Sequence, residues 1–322
     1  MGILSRLGLA KAYHDEPAPP IQQAVSRDAL SLGLYHSFLN AEEIVLRHED
    51  RGRNSVPGHL VNYLGVATDI RYVGAFSHLG GVVEGPPIPC NNHAELVEWA
   101  AVLRAVELSN QCFTVVELGA GWGCWMVNSA VAAKRLGRDV YAIGVEGDQE
   151  HSRFIAEHAF KNGLAPREFD AVNGVVGPAK GVALFPVVEQ SCQSYGQEPQ
   201  FFDSDDSARR FLEQAVGDYI STPILALEQV LGGRDRVDLL HIDIQGAEAT
   251  FIKECIGSLD RRVAYIVVGT HSRAIEGELI NFLHASGWRM EFEKPCTLSV
   301  DPSGSFSNIR DGTQGWQNSR LF

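Results

Sequence analysis

The stretch VVELGAGWG, residues 115–123, decides the fold of this chain. Two valines lead into a glutamate, glycine recurs at 119, 121 and 123, and CWMVNSAVAAKRLG follows with the spacing of a helix. The pattern predicts a buried strand, a tight turn and a helix. Glycine at a strand end lets the backbone turn sharply and lets a ligand approach with no Cβ in the way. Two ligand classes use such turns. The dinucleotide fingerprint G-x-G-x-x-G would need its third glycine at 124, where Cys124 stands. Glu117, two places ahead of Gly119, suits a cationic ligand instead. S-adenosyl-L-methionine carries a sulfonium and an ammonium but no phosphate, and a carboxylate near the turn stabilises it by charge and hydrogen bonding. Trp122 lies inside the turn within reach of such a ligand, whereas Trp125 and Met126 are expected in the core.

Downstream, strand and helix alternate. The expected order is a strand at 113–118, a helix from about Trp122 to Leu136, a strand in VYAIGVEG (140–147), and a helix from near Asp148 that Gly163 can end. A third strand lies within EFDAVNGVVG (168–177). After a polar insert (189–222) come a strand in VDLLHIDI (237–244), a helix marked by Phe251, Ile252, Cys255, Ile256 and Leu259, and a strand in VAYIVVG (263–269). A helix in EGELINFLHASG (276–287) and a last strand in WRMEFE (288–293) complete the series. Such alternation with short turns predicts an α/β fold, a parallel sheet covered by helices on both faces. Ligands then sit beyond the carboxyl ends of the strands. The residues there are Glu117 to Gly123, Glu146 to Asp148, Asn173 and Gly174, Asp243 to Gly246, and Gly269 to Ser272. Glu146, ending the second strand, can accept both hydroxyls of a ribose, as it would for NAD too.

Upstream, HAELVEWAAVLRAVELS (93–109) carries apolar residues at 96, 97, 100, 103 and 106, one helix face. Residues 1–90 form an expected N-terminal extension, mainly helical, with a helix in SRDALSLGLYHSFLNAEEIVLRHED (26–50) and a glycine-rich passage after it. An extension of this size suits a lid, an acceptor wall or a homo-oligomer surface; residues 91–322 form the ligand-binding domain. The six cysteines show no C-x-x-C pair and several lie in apolar patterns, so buried free thiols in a reducing, cytoplasmic setting are expected rather than disulfides or zinc. A net charge of −13 argues against nucleic acid as the main partner. No apolar run reaches the roughly 18 residues of a membrane span.

VDLLHIDIQGAE (237–248) resembles the signature of the FkbM-type methyltransferases, D-hydrophobic-hydrophobic-K-I-D-V-E-G-A-E. VVELGAGWG, GVEGD (144–148) and NGVVGPAKGVALF (173–185) extend the resemblance over roughly residues 113–292. It implies a class I, Rossmann-like methyltransferase fold, S-adenosyl-L-methionine as donor, and O-methylation of a hydroxyl on a sugar, glycan or small metabolite. Carried over by position, Glu117, Gly119, Gly121 and Gly123 would line the methionine end, Glu146 the ribose, and Asn173 and Gly174 the adenine edge. Asp243 would stand near the sulfonium and the acceptor. His241 replaces the family's lysine and Gln245 its glutamate, both on the acceptor side.

Methyl transfer is an in-line displacement, so the enzyme aligns nucleophile, methyl and sulfur and excludes water. A hydroxyl acceptor also has to lose its proton. Asp243 is the first candidate base, because a carboxylate in an apolar strand is costly without a partner. His271, just past the next strand, is the second, and His241, two residues deeper than Asp243, the third. Asp243 and His271 could hold a divalent ion, but no third ligand is evident, so no metal is expected. Tyr195, Phe201 and Phe202 in the insert suit a lid or a surface hairpin, and the acids Asp203, Asp205 and Asp206 a solvated face. Two other functions remain open: an NAD(P)-dependent oxidoreductase, disfavoured by Cys124, and a non-catalytic nucleoside-binding assembly protein.

Overall fold

A computed structural model describes residues 37–177 and 180–322. Seven strands make the central sheet: β1 Cys112–Leu118, β2 Asp139–Glu146, β3 Phe169–Asn173, β4 Leu239–Ile242, β5 Tyr265–Thr270, β6 Trp288–Lys294 and β7 Gly312–Asn318. Their spatial order is β3-β2-β1-β4-β5-β7-β6. All run parallel except β7, which pairs antiparallel with both β5 and β6.

Five helices cover the sheet: α1 Leu96–Leu108, α2 Cys124–Arg135, α3 Gln149–Lys161, α4 Glu248–Arg262 and α5 Arg273–Ala285. Side chains alternate along a strand, and the alternation separates two cores. Val115, Ala142, Leu239 and Val267 pack with α1, α2 and α3. Their neighbours Val116, Ile143, Leu240 and Val268 pack with α4 and α5. Every residue of β4 and β5 is buried, which explains why these segments show continuous hydrophobic runs.

The chain leaves β1 toward β2 and, after β3, returns to lay β4 on the other side of β1. The strand order therefore reverses between β1 and β4, and a crevice opens beyond their carboxyl ends. The glycine turn makes the crevice possible. Gly119 has φ 72°, and a Cβ there would lie 1.8 Å from the Asp243 carbonyl oxygen. Gly123, at φ 74°, turns the chain into α2, so that helix begins at Cys124 and not at Trp122.

Three expectations change. The described part of the 26–50 segment is helical only over Ala41–Arg47, where the Asn40 side chain accepts the Glu43 N–H as a cap; the rest of the expected helix before residue 37 lies outside the described residues. Beyond it, residues up to 90 hold an antiparallel ribbon (His59–Val61 with Ala67–Asp69) and one 3-10 turn, so the described extension is more turn than helix. It belongs to the same compact unit as the sheet. Asn162 ties it there, accepting the Ala67 N–H and donating to the Ala67 carbonyl.

The second change is β7, whose sequence GTQGWQN has no strand-like hydropathy although all seven residues are buried. Gln314 takes the Trp316 indole N–H and donates to the Glu276 carbonyl, while Asn318 donates to the carbonyls of Asp260 and Val263. Buried amides with partners replace apolar side chains here. Third, all six cysteines are free, but Cys90 and Cys112 are exposed, because one lies in the loop before α1 and the other opens β1 at its solvent end. Among the described residues no helix is long and apolar enough to cross a membrane.

Candidate active site

A cavity of about 830 Å³ occupies the crevice. Its floor is the glycine turn, with Glu117, Gly119, Gly121 and Trp122 on the wall, and Glu146 and Gly174 line it from the ends of β2 and β3. His241 lines it from β4 and Asp243 from just past that strand's end. Gly123 and Asn173 stand behind the wall: Gly123 sets the start of α2, and the Asn173 amide donates to the carbonyls of Glu146 and Gly147.

Glu117 is 2% exposed, and its oxygens accept the N–H groups of Trp125 at 3.1 Å and Met126 at 2.8 Å. Those are orphan donors of the first turn of α2, so the carboxylate acts as a cap from the preceding strand. Burial pushes its pKa up to about 7, against the opposing pull of His241 and the two N–H groups. Glu146 is also buried and also held by backbone, accepting Gly121 N–H at 2.7 Å and Asp148 N–H at 2.8 Å. Burial raises its carboxyl above the usual range, while those same two N–H groups work to lower it.

The polar insert folds over this end of the cavity. Its strands Gln200–Phe202 and Tyr219–Thr222 flank Val182–Pro186, the strand just before the insert, in a small separate sheet. Tyr195 and Phe201 line the cavity, while Asp203, Asp205 and Asp206 face solvent. The Tyr195 ring lies flat on His151 at 4.3 Å and edge-on to Trp122 at 5.3 Å, and its hydroxyl donates to the Tyr72 carbonyl at 2.7 Å. Trp125 is buried as expected yet also lines the cavity, stacked on His241.

At the other end, the Asp243 side chain is 41% exposed. Its Oδ1 accepts from Gln245 Nε2 at 3.0 Å and His271 Nε2 at 3.2 Å. His271 Nδ1 meets Glu248 Oε1 at 2.9 Å, and that oxygen also accepts the N–H groups of Ile244 and Gly246. Burial opposes charge on His271, yet the two carboxylates outweigh it and push its pKa up to about 10. The imidazole is therefore doubly protonated at neutral pH and has no lone pair to take a proton. Glu248 is the third ligand type that the sequence had not revealed, and one donor atom from each of Asp243, Glu248 and His271 lies within 4.8 Å of the others. Each His271 nitrogen already has a carboxylate partner, so the trio closes on itself as an ion-paired chain.

A profile of the FkbM methyltransferase domain matches residues 119–293. A curated relative from Jannaschia sp. (strain CCS1), named "Putative methyltransferase", is 38% identical over 253 residues, covering 77% of this chain and 89% of its own. The chain belongs to the FkbM methyltransferase family. It is accordingly a methyltransferase of the class that uses S-adenosyl-L-methionine. Among solved structures, precorrin-6y C5,15-methyltransferase from Geobacter metallireducens GS-15 is similar at 12% identity and a TM-score of 0.37, covering 70% of this chain and 88% of that one. Human methyltransferase 10 domain containing protein is similar at 11% identity and a TM-score of 0.38, covering 72% and 84%.

The FkbM site fits such a donor. Gly119 and Gly121 of the turn line it without side chains, two buried carboxylates face it, and aromatic rings flank it. Cavity residues that sequence reading missed include several upstream of the FkbM match. Glu98 on α1 holds His241 Nε2 at 3.0 Å, and His93 lines the cavity just before α1. Burial opposes charge on His241, but Glu98 and Glu117 hold its pKa above the usual value. No spacing rule links residue 98 to residue 241; only the packing of α1 against β4 brings them together.

Proposed function

We propose that this FkbM methyltransferase methylates a hydroxyl of a sugar, glycan or similar small acceptor. In this reading Glu117 and the glycine turn hold the methionine end of S-adenosyl-L-methionine, Glu146 the ribose and Gly174 the adenine edge. Asn173 supports that edge from behind by pinning the β2 terminus. The donor supplies an electrophilic methyl on a cationic sulfur.

The observation that carries the reading is the state of Asp243. Its Oδ1 takes both hydrogen bonds, from Gln245 and the His271 imidazolium, so Oδ2 keeps its lone pairs at the cavity edge. In this reading Asp243 takes the acceptor proton as the new carbon–oxygen bond forms and the sulfur receives the electron pair of the breaking bond. His271 serves as a charged clamp that orients Asp243, and His241, paired to Glu98, forms the wall beneath. The cavity wall offers carboxylates, imidazoles and aromatic rings and, among the described residues, neither lysine nor arginine, which suits an uncharged hydroxylic acceptor.

The test uses methyl-labelled donor with a panel of sugars and glycans. Label recovered as a base-stable methyl ether supports the reading, and label on nitrogen or as a base-labile ester refutes it. Asp243→Asn should bind S-adenosylhomocysteine as the wild type does and lose on the order of 10²-fold or more in turnover. Full turnover by that variant would remove Asp243 as the base.

A further inference from the structure

Four buried polar side chains join end to end behind the glycine turn, three of them upstream of the family match. Glu84 Oε2 meets His93 Nδ1 at 3.0 Å, His93 Nε2 meets Thr68 Oγ1 at 3.1 Å, and Thr68 Oγ1 meets His158 Nε2 at 3.3 Å. His158 Nδ1 reaches the Trp122 carbonyl at 3.3 Å. Thr68 and His158 are fully buried, as is the His93 side chain.

The protons in this chain have one arrangement. A carbonyl only accepts, so His158 Nδ1 carries a hydrogen. Burial, with His93 nearby, lowers the His158 pKa to about 3, so the ring is neutral and its Nε2 accepts. Thr68 must then donate to His158 and accept from His93 Nε2. On the far side, Glu84 Oε1 takes the Asn92 backbone and side-chain N–H groups, and Oε2 shares a proton with His93 Nδ1. Three successive donors therefore point one way, from an imidazole–carboxylate pair to the Trp122 carbonyl, and each bond polarises the next.

That carbonyl has a reason to be free. Trp122 precedes Gly123, the N-cap of α2, so its carbonyl lies outside the intrahelical ladder, and the neighbouring first-turn donors of Trp125 and Met126 go to Glu117. The Trp122 carbonyl is thus an acceptor of the turn that the helix does not use, and His158 takes it up.

We propose that Thr68, His93 and His158 are positioning residues for the methyl donor, a one-way hydrogen-bond chain that fixes the Trp122 peptide and with it the turn on which the donor rests. The inference depends on the reading that the donor lies on this turn. It makes the upstream segment part of the donor site, although none of its three chain members has to touch the donor.

The test is S-adenosylhomocysteine binding by titration calorimetry, with thermal melts recorded alongside. Thr68→Val keeps the shape and removes both bonds, and should weaken binding about tenfold; Thr68→Ser restores the hydroxyl and should return the affinity to within about twofold. A chain with a merely structural role would lower the melting temperature and leave the affinity of the folded protein unchanged. Wild-type affinity in Thr68→Val, or loss that serine fails to rescue, overturns the proposal. Should Thr68→Val not fold, His158→Gln decides: a loss of about tenfold supports the chain and unchanged binding overturns it. Wild-type protein that binds no S-adenosylhomocysteine would overturn the donor reading itself, whereas binding that ignores these substitutions overturns this inference alone.

Discussion

Gly119→Ala is the sharpest perturbation of the donor site. The added Cβ would stand 1.8 Å from the Asp243 carbonyl oxygen, a backbone atom that no rotamer change can move aside. Residue 119 also sits at φ 72°, where a side chain costs about 1–2 kcal/mol. Forcing β1 and β4 apart adds roughly 1–3 kcal/mol of overpacking, for a total of about 2–5 kcal/mol. For a domain of this size that lowers the melting temperature by roughly 5–10 °C. Gly121→Ala is the internal comparison. Its φ is 54°, and its Cβ would meet only the edge of the Tyr195 ring at 3.1 Å. That ring belongs to the insert and can yield, so a fall of about 2–4 °C is expected. Scanning calorimetry on the two variants measures the difference, and titration with S-adenosylhomocysteine should show binding lost in Gly119→Ala, since moving the Asp243 carbonyl shifts both sides of the cavity. A Gly119→Ala protein that melts with the wild type, or a Gly121→Ala protein that melts lower than Gly119→Ala, would refute the reasoning.

Two further predictions concern pH. Burial raises Glu117 to about 7 in the folded state, so its favourable term is full below the unfolded value near 4.5 and is lost as pH rises through 7. Glu117→Gln does not titrate and should gain on the wild type by about 3 kcal/mol between pH 4.5 and 8 in urea unfolding, and a pH-independent difference would contradict the burial argument. His271 runs over a higher window: with its pKa raised to about 10, the stability from its two carboxylates is full below 6.5 and disappears toward pH 10. Allowing for its partial exposure, the wild type should lose about 2 kcal/mol between pH 7 and 10 that His271→Gln does not, and parallel curves for the two proteins would rule this out.

The glycine turn, both acids and six of the seven central strands were legible because each rests on local signals: hydrophobic runs of strand length, glycine where the chain must turn, and an acid at a strand tip. The family signature at 237–248 was legible for the same reason. What stayed hidden depends on distant partners. Sequence position favoured His271 as a base, but its two nitrogens meet Asp243 and Glu248 only in the fold, and that pairing makes it a cation. His93 and Glu98 lie in ordinary loop and helix contexts and become cavity residues only because α1 packs across β4, β5, β6 and β7. The departure at Gln245 does gain a physical account: an amide donates to Asp243 where a glutamate would add a third carboxylate beside Glu248.

Strand β7 carries a consequence for biosynthesis. The chain emerges from the ribosome in numerical order, yet β7 wedges between two strands made before it. Until residues 312–318 appear, the nascent chain presents the bare border of β5, an apolar ribbon with unpaired amides, to its surroundings. The strand of the central sheet that comes latest in chain order is thus the one that seals it, and chaperone dependence should concentrate in that interval.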